Sequence, residues 1–391
     1  MRKFLLPAVI LRRRSRDLGA SIAQLFTALP SGTPGLGYRF ADARFNAAQR
    51  NGSTGFGASS GSLGLVLDQA RGALDAIGGN SAINGGFDLD ADWSKGAGWT
   101  ISGGQAVATN VTGGVAISQT SLTPGRFYEA TFTVNITSGT LSLNAGALGT
   151  GRAASGTYTE YLLAATSTLA VQMRGGTALN ATVDNISVRE IPGTHKHALS
   201  DAARPTLGGF AGGSTLAAQF NGTNSAMQTV APLDMSSTDE VTVIAVVRSL
   251  AAFGWIIESS ASVDVNAGTF AVRRDSSLQY RAFSRGNAAA INVPTGAFSA
   301  PDNAIVALHA KIATPALRIR RNSGAEVTNA ASQGTGNYGN YVLNIGGRNG
   351  AASFTGDLAA LCIVGRQPSS LPSGWLETMT GLLVPRDAVF S

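Results

Sequence analysis

The stretch Phe127-Tyr128-Glu129-Ala130-Thr131-Phe132-Thr133-Val134-Asn135 decides the fold class. Tyr128, Ala130, Phe132 and Val134 share one face, and Glu129, Thr131, Thr133 and Asn135 share the other. That period of two belongs to a strand, and one apolar face opposite one polar face means an antiparallel sheet with one side in water. Leu141/Leu143 and Leu169/Val171/Met173 repeat the period. Short segments of this kind, separated by Gly, Thr and Ser clusters, fill residues 83–192 at the spacing of a β-sandwich. A second set, over 241–248, 269–273, 278–283, 304–312, 316–321, 341–346 and 357–364, occupies the last half of the chain.

Composition agrees. Charged residues are 13% of 391 positions, against about 25% in an average domain, while Gly supplies 49 positions and hydrophobic residues 44%. A disordered chain needs more charge and fewer apolar residues, and a helical enzyme needs more Glu, Lys and Arg. The expectation is an all-β protein of two β-sandwich (jelly-roll) domains, with a short basic, partly helical N-terminal segment and a C-terminal helix. The predicted organisation is 1–50 as a basic docking segment, 51–82 as a lead-in, 83–192 as the first sandwich and 193–391 as the second. Residues 190–205 read as the join. One helix is predicted over 16–28, with Leu18, Ile22, Leu25 and Phe26 at helical spacing, and another over 370–381, with Leu371, Trp375, Leu376 and Met379 on one stripe.

The net charge of +6 is confined to the head: residues 1–50 hold nine Lys/Arg against two Asp/Glu, and the remainder is near neutral. A groove that tracks phosphates needs clustered basic residues with interleaved aromatics, so nucleic acid is excluded as a partner of the body. The apolar run Phe4 to Leu11 passes directly into Arg12, Arg13, Arg14 and Arg16 rather than into a small-residue cleavage site, and reads as no export signal. No stretch approaches the ~18 apolar residues of a membrane span, so no membrane insertion is expected. A single cysteine, Cys362, excludes an intrachain disulfide.

Several residues are candidates for chemistry. Asp184 shares strand parity with Ile186 and Val188, so without a bulge it points to the core, where a carboxylate must be paired or bound to metal. With Asp88, in the turn Asn84-Gly85-Gly86-Phe87-Asp88, it offers oxygen ligands of the kind Ca²⁺ takes; the alternative is an ordinary turn and loop hydrogen bonding. Trp93 and Trp99 flank a Gly-rich turn and serve either as sugar-stacking platforms or as core. Tyr158 and Tyr161 are candidates for exposed glycan contacts, and Arg318 and Arg320, on one face of a strand, for an acidic sugar or a solvated face. His195 and His197 lack a third metal ligand and read as linker histidines. A glycosidase needs two carboxylates across one groove; Asp239 and Glu240 are adjacent and point to opposite faces. No G-x-S-x-G elbow, P-loop, zinc-ligand motif or G-x-G-x-x-G reads in a strand-to-helix setting.

Two stretches resemble known families. Residues 83–190, through Asn84-Gly85-Gly86-Phe87, Gly98-Trp99-Thr100, Gly125-Arg126-Phe127-Tyr128 and Thr182-Val183-Asp184-Asn185-Ile186-Ser187-Val188, resemble the carbohydrate-binding-module type of galactose-binding-like jelly roll. That resemblance implies a structural Ca²⁺ held by Asp88 and Asp184. Residues 203–391, through Phe220-Asn221-Gly222, Leu343-Asn344-Ile345-Gly346-Gly347 and Gly356-Asp357-Leu358-Ala359-Ala360-Leu361, resemble the concanavalin-like (laminin-G-like) sandwiches of phage and prophage structural proteins. The acidic triplet of the glycanases in that group is missing here. Together the resemblances imply a non-enzymatic virion fibre, spike or head-decoration protein, assembled in the host cytoplasm and released by lysis. Such a protein binds host cell-surface polysaccharide, forms a homo-oligomer and docks to other virion proteins through residues 1–50. A structural spacer and a capsule-degrading glycanase are the alternatives.

Overall fold

The computed structural model describes residues 21–48, 56–251, 253–314, 316–348 and 351–384. The basic cluster Arg12 to Arg16 lies outside these residues. The described chain is nearly all β and divides into two compact units: residues 74–192 form one, and 21–48, 56–73 and 193–384 form the other.

In the smaller unit a five-stranded antiparallel sheet has the order Gly156–Leu163, Phe127–Ser138, Leu179–Ile191, Gln105–Val111, Trp99–Ser102. A four-stranded sheet, Thr140–Asn144, Thr168–Arg174, Ala116–Thr120, Ser94–Lys95, covers its apolar face. The alternation in the quoted stretch is realised: Tyr128, Ala130, Phe132 and Val134 are buried with Leu141, Leu143, Leu169, Val171 and Met173 between the two sheets.

The larger unit is a sandwich of two nine-stranded sheets. In the first, Thr355–Val364 is central: one edge pairs with Glu240–Ser249, and the other is shared by Gly35–Arg39 and Leu216–Asn221. The second runs Asn46–Ala47, Leu65–Val66, Lys196–Ala198, Met227–Thr229, Leu343–Ile345, Gly254–Ser259, Thr269–Arg274, Tyr280–Arg285, Ile291–Pro294. Residues from both sheets, among them Tyr38, Val66, Val243, Ile257, Phe270 and Leu361, form one core.

Residues 21–48, expected in a separate head, are part of this sandwich. The first helix is Ile22–Thr27, opened by a capping box in which Ser21 Oγ accepts from Gln24 N and the Gln24 side chain accepts from Ser21 N. Ile22 and Phe26 pack with Trp375 and Met379 of the second helix over Ile244, Val246, Cys362 and Val364. The Trp375 indole donates to Leu25 O at 2.7 Å. The second helix starts later than expected, as Trp375–Leu383, because Gly374 is left-handed (φ 75°) and interrupts the backbone; Gly381 lies inside the helix instead of ending it. The expected join is not a linker either. Lys196–Ala198 is an interior strand between Leu65–Val66 and Met227–Thr229, and Lys196 is fully buried.

Candidate functional site

The outward face of the second large sheet gathers arginines and aromatic rings. A register shift between Trp255 and Ile257 lets Ile256 and Ile257 both enter the core while Trp255 and Glu258 stay on the outer side. Period-two alternation does the same for the next strands: Phe270, Val272 and Arg274 point inward and Arg273 outward, then Tyr280, Ala282 and Ser284 inward and Arg281, Phe283 and Arg285 outward. Arg273 pairs across the sheet with Trp255 on one side and Arg281 on the other.

The guanidinium carbon of Arg273 lies 4.8, 5.1 and 5.4 Å from the ring centroids of Phe283, Trp255 and Phe253. Arg348 stacks on Trp255 at 4.2 Å. Phe253, 44% exposed, is the solvent-facing ring of the group, whereas Trp255 and Phe283 are buried beneath it with Val263 and Ala271.

The acids on this face are committed. Arg348 makes a bidentate pair with Glu258 at 2.7 and 2.9 Å and a further contact with Asp264 at 3.1 Å. Arg281 pairs with Asp275 at 2.8 Å and donates to Asn292 Oδ1 at 2.7 Å. Arg285 donates to the carbonyls of Val263 and Asp264. Among the described residues Arg273 makes no close ion pair, although the charges of Asp275 and Asp264 reach it, and its Nε is sealed from solvent unsatisfied. Burial, then the like charge of Arg281, lowers its pKa from the ordinary guanidinium value; the group remains a cation near neutral pH.

The residues singled out in the sequence are placed differently. Trp93 is 5% exposed, packs at a 42° tilt against Phe87 with ring centroids 5.1 Å apart, and donates from Nε1 to the carbonyls of Ile83 and Asn84 at 3.1 Å each. It is core, like Trp99, and offers no stacking platform. Tyr158 is half-buried on the inner side of its sheet, with Phe132 beside it at 5.9 Å, the Arg152 guanidinium over its ring at 4.3 Å and its hydroxyl donating to Ala154 O at 2.8 Å. Tyr161 does lie on the outer, Thr-rich face of the five-stranded sheet, where its hydroxyl donates to Glu129 at 3.3 Å. Arg318 is exposed, 3.7 Å from Glu326. Arg320 is buried and donates from Nε to Asn322 O at 3.0 Å, so it cannot reach a ligand in solvent.

Asp184 does not point to the core. The register between Leu179–Ile191 and Phe127–Ser138 shifts between Asp184 and Ser187, with Asn185 at φ 54°, so Val183 and Ile186 are both buried and Asp184 is turned to the outer face. The turn carrying Asp88 docks on that bulge: Ile186 N donates to Gly85 O at 2.8 Å, and a Cβ on Gly85 would lie 2.0 Å from Ile186 O. Asp88 follows this turn and Asp184 precedes the bulge, where its Oδ1 accepts from Asn185 N at 2.7 Å. Ile83 O, Asn84 O and Gly85 O already accept hydrogen bonds there, and no group of three His, Cys, Asp or Glu gathers among the described residues.

No family model and no curated protein matches the chain in sequence. Among solved structures, the Ruminococcus gnavus IT-sialidase CBM40 bound to alpha2,3 sialyllactose aligns with 34% of this chain and 80% of its own at 12% identity, with a TM-score of 0.28. A native heptameric SAP-like pentraxin from Limulus polyphemus aligns with 37% of this chain and 73% of its own at 14% identity and a TM-score of 0.31. Trypanosoma rangeli sialidase in complex with the inhibitor DANA aligns with 50% of this chain and 30% of its own at 13% identity and a TM-score of 0.34. At these scores the likeness is partial, and the fold assignment stands on the chain's own sheets.

Proposed function

We propose that the chain is a non-enzymatic glycan-binding protein whose binding face is the outer side of the second large sheet, and that it serves as a fibre, spike or head-decoration component of a virion. The observation that carries the binding reading is the exposed Phe253 ring beside a guanidinium that makes no close ion pair and is held by Trp255 and Phe283. A pyranose has an apolar face that packs on an aromatic ring and hydroxyls that accept from a fixed fork of donors. Arg273 stands on a strand and Phe253 immediately precedes one, so part of the ordering entropy that opposes binding is already met by the sheet. The virion placement rests on the sequence resemblance, with residues 1–20 as the remaining docking element, and mass spectrometry of purified particles tests it.

A glycan array probed with the full chain tests the binding reading. Phe253→Ala is expected to weaken binding by about tenfold while leaving the melting temperature within about 2 °C, since the ring is at the surface and truncation leaves the core intact. Unchanged binding by this variant would show that the sugar binds elsewhere. A spacer role predicts no signal on the array for a folded protein. Incubation with purified capsule tests the glycanase alternative, which predicts shortened chains.

Calcium at the Asp88/Asp184 junction is the second part of the proposal. Bound Ca²⁺ would neutralise two carboxylates and tie the 84–88 turn to the bulge at 184–187. Chelation is then expected to lower the melting midpoint of the smaller unit by several degrees, and Asp184→Asn to abolish that response. An unchanged midpoint argues for a junction held by the Gly85–Ile186 hydrogen bond alone.

A further inference from the structure

We infer that this face selects saccharides bearing a carboxylate, and that Arg273 is the residue that holds it; the inference rests on the glycan-binding reading above. Four arginines (Arg273, Arg281, Arg285, Arg348) stand on the face against three acids (Glu258, Asp264, Asp275), which leaves a surplus of one positive charge. The three acids reach only two of the arginines within 3.1 Å, Arg281 one of them and Arg348 the other two, so among the described residues Arg273 and Arg285 both stand without an acid. Arg285 is turned to the backbone carbonyls of Val263 and Asp264. Arg273 is therefore the guanidinium that an incoming anion meets.

Its setting favours one planar anion over a polyanion. A polyphosphate or nucleic acid needs a run of cations spaced along a groove, and one uncompensated charge cannot supply it. A carboxylate needs two parallel N–H donors in a plane, which the terminal nitrogens of a guanidinium provide. The three rings that surround Arg273 fix that plane and keep bulk water from one side, so the charge-assisted pair is made in a partly desolvated place. Phe253, next to it and exposed, lies where the sugar ring that carries the carboxylate would stack. Ion pairing of Arg281 and Arg348 with their own acids also holds those side chains away from Arg273, so the like charges do not collapse onto the ligand position.

The test uses the full chain against a soluble polyuronate, polysialic acid, and the carboxyl-reduced form of each, by calorimetry at low and physiological salt. The expected result is binding to at least one native polymer, a loss of about ten- to a hundredfold on carboxyl reduction, and the same loss for Arg273→Gln on the native polymer. Arg273→Lys keeps the charge and loses the fork, and is expected to recover only part of the affinity. Equal binding of native and reduced polymers overturns the carboxylate inference and leaves the glycan-binding face standing. Binding to the native polymers that is unchanged in Arg273→Gln overturns the role of Arg273. Failure to bind any of the four polymers, together with a blank glycan array, removes the binding reading and the inference with it.

Discussion

Asp68→Ala is expected to destabilise the larger unit by about 3–5 kcal/mol, read as a lower denaturant midpoint at unchanged slope. Asp68 is fully buried, and its carboxylate accepts from three backbone amides: Gly37 N at 2.8 Å and Ala70 N at 2.9 Å on Oδ1, and Thr194 N at 2.9 Å on Oδ2. Those amides belong to three segments far apart in sequence, so one side chain closes the sandwich where the chain leaves and re-enters it. Truncation orphans all three donors. Burial works against the charged form and pushes the Asp68 carboxyl up to about 6, so removing the charge returns some of this loss. Asp68→Asn keeps the Oδ1 acceptor for Gly37 and Ala70 but sets an NH₂ against Thr194 N, and its cost is expected to fall between alanine and the parent. An alanine variant within about 1 kcal/mol of the parent would contradict this closing role.

The second large effect is on pH dependence. His309 is buried on the sheet face opposite the main core, its Nδ1 3.0 Å from Thr242 Oγ1, and burial together with the charges of Arg318 and Arg320 lowers its pKa from 6.5 to about 3. A lowered folded pKa means that the unfolded chain takes up the proton first. The stability from neutral His309 is present above pH 6.5 and is lost as pH falls towards 3, at about 1.4 kcal/mol per unit. Asp68 has the opposite sign: with a folded pKa near 6 against 3.8 unfolded, it contributes stability below 3.8 that is lost as pH rises through 6. In the parent the two largely offset between pH 6 and 4. His309→Asn retains a partner for Thr242 and cannot ionise, so the variant is expected to gain on the parent by about 3 kcal/mol between pH 6.5 and 4, in denaturation series at each pH. A gap independent of pH would show that His309 is not the group whose protonation is suppressed.

The sheets were legible because strand periodicity is local. Tyr128 to Val134, 241–248 and 357–364 alternate or run apolar for reasons contained in their own residues. What failed depended on partners elsewhere in the chain. His195-Lys196-His197 reads as a solvated join, yet Lys196 is fully buried with Nζ 4.1 Å above both the Tyr38 and Phe40 rings. Nothing local distinguishes that lysine from an exposed one. Asp184 was misplaced by one bulge, since a single left-handed residue, Asn185, reverses the parity of everything before it. Residue type alone suggests Trp93 and Tyr158 as sugar contacts, whereas their exposure is set by Phe87, Phe132 and Arg152. The arginine and aromatic face did leave a signal: Arg281-x-Phe283-x-Arg285 has the strand period and puts two cations and a ring on one side. Recognising it as a site required the neighbouring strand, because the feature that sets Arg273 apart is the lack of an acid across the sheet.

Hydroxyl-radical footprinting of the full chain, with and without the polysaccharide that scores highest on the glycan array, locates the binding face. Protection is expected at Phe253 and along Thr269–Arg274 and Tyr280–Arg285, with no change at Tyr161 or Arg318. Protection confined to the smaller unit, or to the face carrying Arg318, with Phe253 as reactive as in the free protein, would contradict that placement.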